Sequence, residues 1–304
     1  MTDESEAELS QLLAEVRRIE VRSRRLVTDV MAGRYSSVFR GAGLEFEEVR
    51  EYVPGDDPRS VDWNVTARIG RPYVKRFVDE RELTLWLLAD LSHSMDGGFS
   101  AWSLRQVQAR VVACLALSAV ENHDRVGLIG FGDRVQRVVA PRQGSGQALR
   151  IVRDTLALRS AGRGTALPAA LEEIRRVQRR HAIVFLVSDF LGDGWQDGLA
   201  RCAQAHDVIA IRLLPPELAP PTAGMMRLRD PETGAARLVD WRHAPSRAAY
   251  IERVAAWRSG AEAAMRRAGV DRIDIEVPRT ADYDAIARPL LGFFRMRELR
   301  GAKR

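Results

Sequence analysis

The 304-residue sequence is short of cysteine, of lysine and of long apolar runs, and each shortage removes a class of protein. Its two cysteines, Cys114 in VVACLALSAV and Cys202 in LARCAQAH, lie in apolar surroundings. They read as small core residues of a reducing compartment, not as a disulfide framework. The longest strongly apolar stretch covers residues 111 to 120 and is flanked by Arg110 and Glu121. That falls well short of the roughly 20 residues that cross a hydrocarbon layer about 30 Å thick, so no membrane span is expected. The start, MTDESEAELS, is acidic and lacks the basic residues and apolar segment of a secretory signal. A cytoplasmic location is the expectation. With 23 glycines and 13 prolines against a hydrophobic content of 46%, collagen-like, low-complexity and predominantly disordered chains are also excluded.

Lysine is nearly absent. Lys75 and Lys303 stand alone among 47 basic residues, all the others being arginine. The formal charge of +6 invites a nucleic-acid reading. The arginines, however, alternate with acidic residues along segments such as LEEIRRVQRR, the pattern of solvated helix faces, and nucleic-acid binding is not expected.

What is present divides into an N-terminal extension, residues 1–80, and a larger α/β unit, residues 81–304. Residues 5 to 31 read as a helix with Leu9, Leu12, Leu13, Val16 and Ile19 on one face, ended by Gly33. A β-rich connector follows, with a turn at Pro54 and Gly55 and with Asp57 before Pro58 as the cap of one helical turn. In it Trp63 is expected to fill core, with Asp56, Arg59, Asp62 and Arg68 paired; the alternative is a docking surface.

From residue 83 strands and helices alternate, as in a largely parallel sheet covered on both faces. Strands are expected at 83–90, 125–133, 135–141, 181–190, 207–216 and 271–278. The two-residue gap before 135–141 demands an antiparallel edge strand, since a parallel crossover needs a dozen or more residues. Residues 217–242 read as an exposed hairpin insertion around Asp230, Pro231 and Gly234, either partner-facing or plain surface. Pro289 is expected to kink the last helix.

The first buried strand ends in Asp90-Leu91-Ser92-His93-Ser94, so a carboxylate and two hydroxyls fall just past its carboxyl end, where open α/β sheets place ligands. Thr165 in GRGTALP and Asp189 at the end of IVFLVSD occupy equivalent positions. Singly, Ser94 or Thr165 reads as a helix cap. Together the five supply the oxygen donors that a hard divalent cation prefers, whereas zinc would call for cysteine or histidine. The same cluster could serve a metal-dependent hydrolase, but no nucleophile paired with a base accompanies it, and His93 is the sole nearby imidazole. GSGQ (144–147) and GRGT (162–165) lack the lysine of a phosphate-cradling loop, so nucleotide hydrolysis is not expected.

Asp90-x-Ser92-x-Ser94, Thr165 and Asp189, with this order of elements, resemble the metal-ion-dependent adhesion site (MIDAS) of von Willebrand factor A domains. Upstream, GAGLEFEEVREYVPGDDPRSVDWNVTARIGRPYVKRF resembles the signature of the bacterial domain-of-unknown-function family fifty-eight, whose members carry such a domain and are commonly encoded beside MoxR-type AAA+ ATPases. The resemblance implies a Rossmann-like α/β fold: a six-stranded, mostly parallel sheet with one antiparallel edge strand and helices on both faces. It implies Mg²⁺, or another divalent cation such as Mn²⁺ or Ca²⁺, with Ser92, Ser94 and Thr165 as direct ligands and Asp90 and Asp189 supplying charge and ordering water. The last coordination position would be left to an acidic client, and nothing in the sequence suggests that the chain closes it itself. The implied role is a non-enzymatic adaptor or co-chaperone to the ATPase.

Overall fold

A strand buried on both sides must be apolar in both alternating sets of side chains. Strand β3 (Thr84–Asp90) is built this way: Leu85, Leu87 and Ala89 face one hydrophobic cluster, Trp86 and Leu88 the other. The computed structural model describes residues 3–26, 45–53, 56, 61–78, 82–222 and 224–301. Around β3 it assembles a six-stranded sheet from β4 (Arg125–Phe131), β5 (Val135–Arg142), β6 (Ile183–Ser188), β7 (Asp207–Leu214) and β10 (Asp271–Glu276). The order is β10-β7-β6-β3-β4-β5, with every pair parallel except β4 and β5. This is the six-stranded, mostly parallel α/β sheet with one antiparallel edge strand that the sequence implies.

Helices α3 (Leu104–Glu121), α4 (Ser145–Ala157) and α8 (Tyr283–Gly301) cover one face. Helices α5 (Leu167–Val177), α6 (Gln196–Ala205) and the C-terminal part of α7 (Ala244–Arg267) cover the other. Helix α3 is buried on nearly all sides from Leu104 to Ala119, because the sheet lies under it and α1 (Asp3–Leu26) lies over it. That double covering explains its unbroken apolar run. The helix starts on a capping box, in which Gln106 N donates to Ser103 Oγ at 3.3 Å and Ser103 N to Gln106 Oε1 at 3.1 Å.

Val16, Ile19 and Ser23 form the seam of α1 against α3, joined by an Arg110–Glu15 ion pair. Leu13, expected on that face, is exposed: it lies about 90° round the helix from the seam. The Leu9 and Leu12 side chains and the Gly33 stop lie outside the described residues.

In the extension, β1 (Glu45–Glu51) and β2 (Tyr73–Val78) pair antiparallel. Between them α2 (Trp63–Ile69) is capped by the Asp62 carboxylate, which accepts from Asn64 N at 3.0 Å and Val65 N at 3.3 Å. Arg50 grips Asp56 through two bonds of 2.7 Å, holding that carboxyl down at about 2. Trp63 does not fill core. It is 72% exposed: Asp62 caps the helix directly before it, and the indole stands outward at the first helical position. Pro54, Gly55, Asp57, Pro58 and Arg59 lie outside the described residues.

The insertion is the expected hairpin, β8 (Met225–Arg229) and β9 (Ala236–Asp240). Helix α8 runs through Pro289. Both cysteines are buried and free. No described helix is long and apolar enough to cross a membrane.

Candidate functional site

The chain leaves β3 toward β4 on one side and reaches β6 on the other, so the carboxyl ends of β3 and β6 flank the point where the sheet order reverses. A crevice opens there in doubly wound sheets because the loops diverge. Asp90 ends β3, and the parallel register that pairs Ala89 with Val187 sets Asp90 beside Ser188 at the end of β6. Asp189 follows.

Asp90 is fully buried and accepts three bonds: from Ser92 Oγ at 2.6 Å, Ser92 N at 2.9 Å and Ser188 Oγ at 2.6 Å. Ser92 Oγ lies 3.1 Å from Ser94 Oγ. Burial raises the Asp90 carboxyl to about 7, and the charge of Asp189 adds to the rise against the pull of the serine donors. Asp189 is raised too, first by burial and further by the charge of Glu232, while the Leu191 amide and the nearby Ser94 hydroxyl oppose the shift. Its Oδ1 accepts from Leu191 N at 3.0 Å, but its Oδ2 is buried with no hydrogen-bond partner. Buried polar atoms are seldom left so.

The donor set suits a hard divalent cation: two carboxylates and neighbouring hydroxyls, with a carboxylate oxygen left over. A positive ion would reverse the cost of burying both charges. Among the described residues no three carboxylate, imidazole or thiol side chains converge at metal distance, so hydroxyls would have to complete any site.

The structure therefore brings Asp90, Ser92, Ser94 and Asp189 together. Thr165 is less tightly tied. It is half-buried in the loop between α4 and α5, and a Cβ at Gly192, in the loop after β6, would lie 3.7 Å from the Thr165 Cβ. Its hydroxyl makes no hydrogen bond to the other four.

Four contributors were not evident from sequence. Ser188 holds Asp90, and its place before Asp189 at a strand end was the available signal. Gln108 Nε2, one turn into α3, donates to the Asp90 carbonyl at 2.8 Å. Arg105 is 1% exposed and braces the loop that carries both serines. It donates to the carbonyls of Leu91 at 3.2 Å, Ser92 at 3.3 Å and Leu158 at 2.9 Å, and grips Asp96 at 2.5 and 3.1 Å.

The fourth is Glu232, from the hairpin. Its carboxylate accepts from Ser94 N at 2.9 Å and from Gly164 N at 2.7 Å. The motif gave no sign of this contact: the insertion folds back and sets its own carboxylate at the edge of the cluster.

The profile of the family described as protein of unknown function DUF58 matches residues 48–260. Proteins named only as uncharacterized, from Mycobacterium tuberculosis and Mycobacterium bovis, are each 34% identical over 232 residues, covering 75% of this chain and 73% of their own. Among solved structures, the conserved hypothetical protein BatB from Bacteroides thetaiotaomicron is 14% identical, with a TM-score of 0.43 over 70% of this chain and 99% of that one. The VWA domain of SpRpn10 is 14% identical, with a TM-score of 0.38 over 69% of this chain and 94% of that one.

Proposed function

The chain belongs to the DUF58 family, and on that premise we propose that it is a protein-binding module that engages an acidic side chain of its partner through a divalent cation. The observation that carries this reading is the pair of buried carboxylates, Asp90 and Asp189, one with an oxygen that nothing satisfies, set among serine hydroxyls at the carboxyl edge of the sheet. Ser92, Ser94 and Thr165 would hold the cation, with Asp90 and Asp189 supplying charge and orienting its water. Mg²⁺ is the first choice, with Mn²⁺ or Ca²⁺ as alternatives. The cation would supply an electrostatic bridge between two carboxylate-bearing surfaces. Arg105 and Gln108 keep the 90–96 loop in place, and Ser188 orients the Asp90 carboxylate.

The family likeness extends the proposal to the partner: a MoxR-type AAA+ ATPase, for which this chain serves as adaptor or co-chaperone, in the cytoplasm, in the assembly or maturation of another complex. The proposed role is binding and not catalysis. Asp90→Ala combined with Ser92→Ala is expected to abolish calorimetric Mg²⁺ binding and divalent-dependent co-purification of the ATPase, while circular dichroism stays as in wild type. Capture that persists unchanged in EDTA would overturn the cation bridge. Turnover of phosphoester or peptide substrates with Mg²⁺ or Mn²⁺, lost in the same variant, would replace binding with hydrolysis.

A further inference from the structure

The carboxylate of Glu232 is held by two backbone amides that belong to the two loops bearing Ser92, Ser94 and Thr165. We propose that these amides, Ser94 N and Gly164 N, form a seat for a partner's carboxylate side chain, and that Glu232 is the chain's own occupant, displaced when the partner binds. The inference rests on the proposed function in that the seat borders the Asp90 cluster, but the amides converge whether or not a cation is bound.

Both loops are shaped for this role. Gly164 has φ +90°, where side-chain-bearing residues rarely go, although a Cβ there would meet nothing within 4 Å. Backbone direction, not space, calls for glycine at this position, and that direction aims its amide at the carboxylate. The hairpin tip is folded before it arrives. Asp230 accepts from Glu232 N at 2.9 Å and from Thr233 Oγ1 at 2.6 Å, and its carbonyl accepts from Gly234 N at 2.8 Å. Arg163, beside Gly164, donates to the Thr233 carbonyl and packs on Gly234. The turn thus presents one glutamate as a small rigid ligand would be presented.

The rest of the hairpin is lightly covered. No residue of β8 or β9 is buried, and Met225 and Leu238 are exposed. A cavity of about 310 Å³ lies beneath it, lined in part by Phe99, Met226, Leu228 and Trp241. Its base is fixed by Trp241, 3% exposed and edge-on to Tyr250 at 5.3 Å. A tethered tip competes at high effective concentration, so a partner must offer an acidic residue on a comparably ordered turn, and only a good match displaces Glu232.

The probe is a synthetic peptide copying residues 228–236, titrated into the full chain while the amide resonances of Ser94 and Gly164 are followed by NMR. Glu232→Ala should shift both resonances from their wild-type positions and bind the peptide saturably, with the wild-type chain at least ten-fold weaker. The isosteric Glu232→Gln should behave like the alanine variant, which excludes hairpin collapse as the cause. A peptide carrying Gln for Glu should bind neither. Identical titrations of wild type and variants, including no response in any, would overturn the seat. Running each titration with Mg²⁺ and with EDTA separates the two ideas. Tighter binding by the variants in both conditions upholds the seat, and the same result with no calorimetric Mg²⁺ binding removes the cation bridge alone. Normal calorimetric Mg²⁺ binding without a wild-type-to-variant difference removes the seat alone.

Discussion

Arg105 spends all its donors on the loop between β3 and α3 and on the neighbouring Leu158 carbonyl, so the positions of Ser92 and Ser94 depend on a side chain that never reaches the cluster. Arg105→Met keeps the length and removes the fork. It should lower unfolding stability by about 2 kcal/mol, because Asp96 and three carbonyls each lose a charged donor while keeping a second, weaker one, and weaken Mg²⁺ binding at least ten-fold. Urea denaturation and calorimetry measure the two effects, and a stability loss with unchanged Mg²⁺ affinity would show that the loop holds itself. The thiols make a second prediction at this scale. Burial pushes Cys114 up to about 11 and Cys202 up to about 12, so neither should react with a disulfide reagent at pH 8 until denaturant is added. In the unfolded chain the same thiols ionise near 9, and there the folded protein retains protons the unfolded chain has lost. Their contribution to stability is therefore whole below pH 9 and falls as pH rises toward 11 and 12.

Among elements, β10 is joined to the sheet by more than its ladder. Arg212 on β7 is 1% exposed and grips Asp274 of β10 at 2.8 and 2.9 Å and Glu262 of α7 at 3.0 Å. Arg212→Ala should cost about 2–3 kcal/mol, toward the lower end of such losses because both carboxylates keep some contact with water. Hydrogen exchange should show the loss first in β10. The sheet elements were legible in the sequence because their signals are local and strong: doubly apolar strands, a two-residue gap that forces an antiparallel edge, turn residues around Asp230. Strand ends ran two residues long at Ser188, Leu214 and Glu276, because the last ladder bond is set by the neighbouring strand and not by the residues alone. Asp90, Ser92, Ser94 and Asp189 were legible for the same reason, as polar residues abruptly ending apolar strands. Glu232 was not, because its role depends on a contact across 138 residues, and a glutamate in a hairpin turn reads as surface. Trp63 misled because an aromatic residue in a polar connector suggests core, whereas the Asp62 cap sets it at the first helical position with its indole outward.

At the scale of the whole molecule, α1 is a cover laid over the domain's most apolar helix. Val16 and Ile19 bury about 1.5–3 kcal/mol apiece of transfer free energy, and Ser23 Oγ lies 3.6 Å from Cys114 Sγ. Ile19→Asp should lift α1 from α3 at a cost of about 3 kcal/mol. Thiol labelling reports it selectively: Cys114 should become reactive in the folded protein, while Cys202, on the opposite face of the sheet, stays protected. Equal labelling of both would mean global unfolding instead.

The same long connection between Ser94 and Glu232 sets an order in time. Chains are made from the N-terminus at about 5–20 residues per second, so β3, the serine loop, the Gly164 turn and β6 leave the ribosome seconds before the hairpin exists. During its own synthesis, each molecule passes through an interval in which the two amides have been made and the glutamate that quiets them has not.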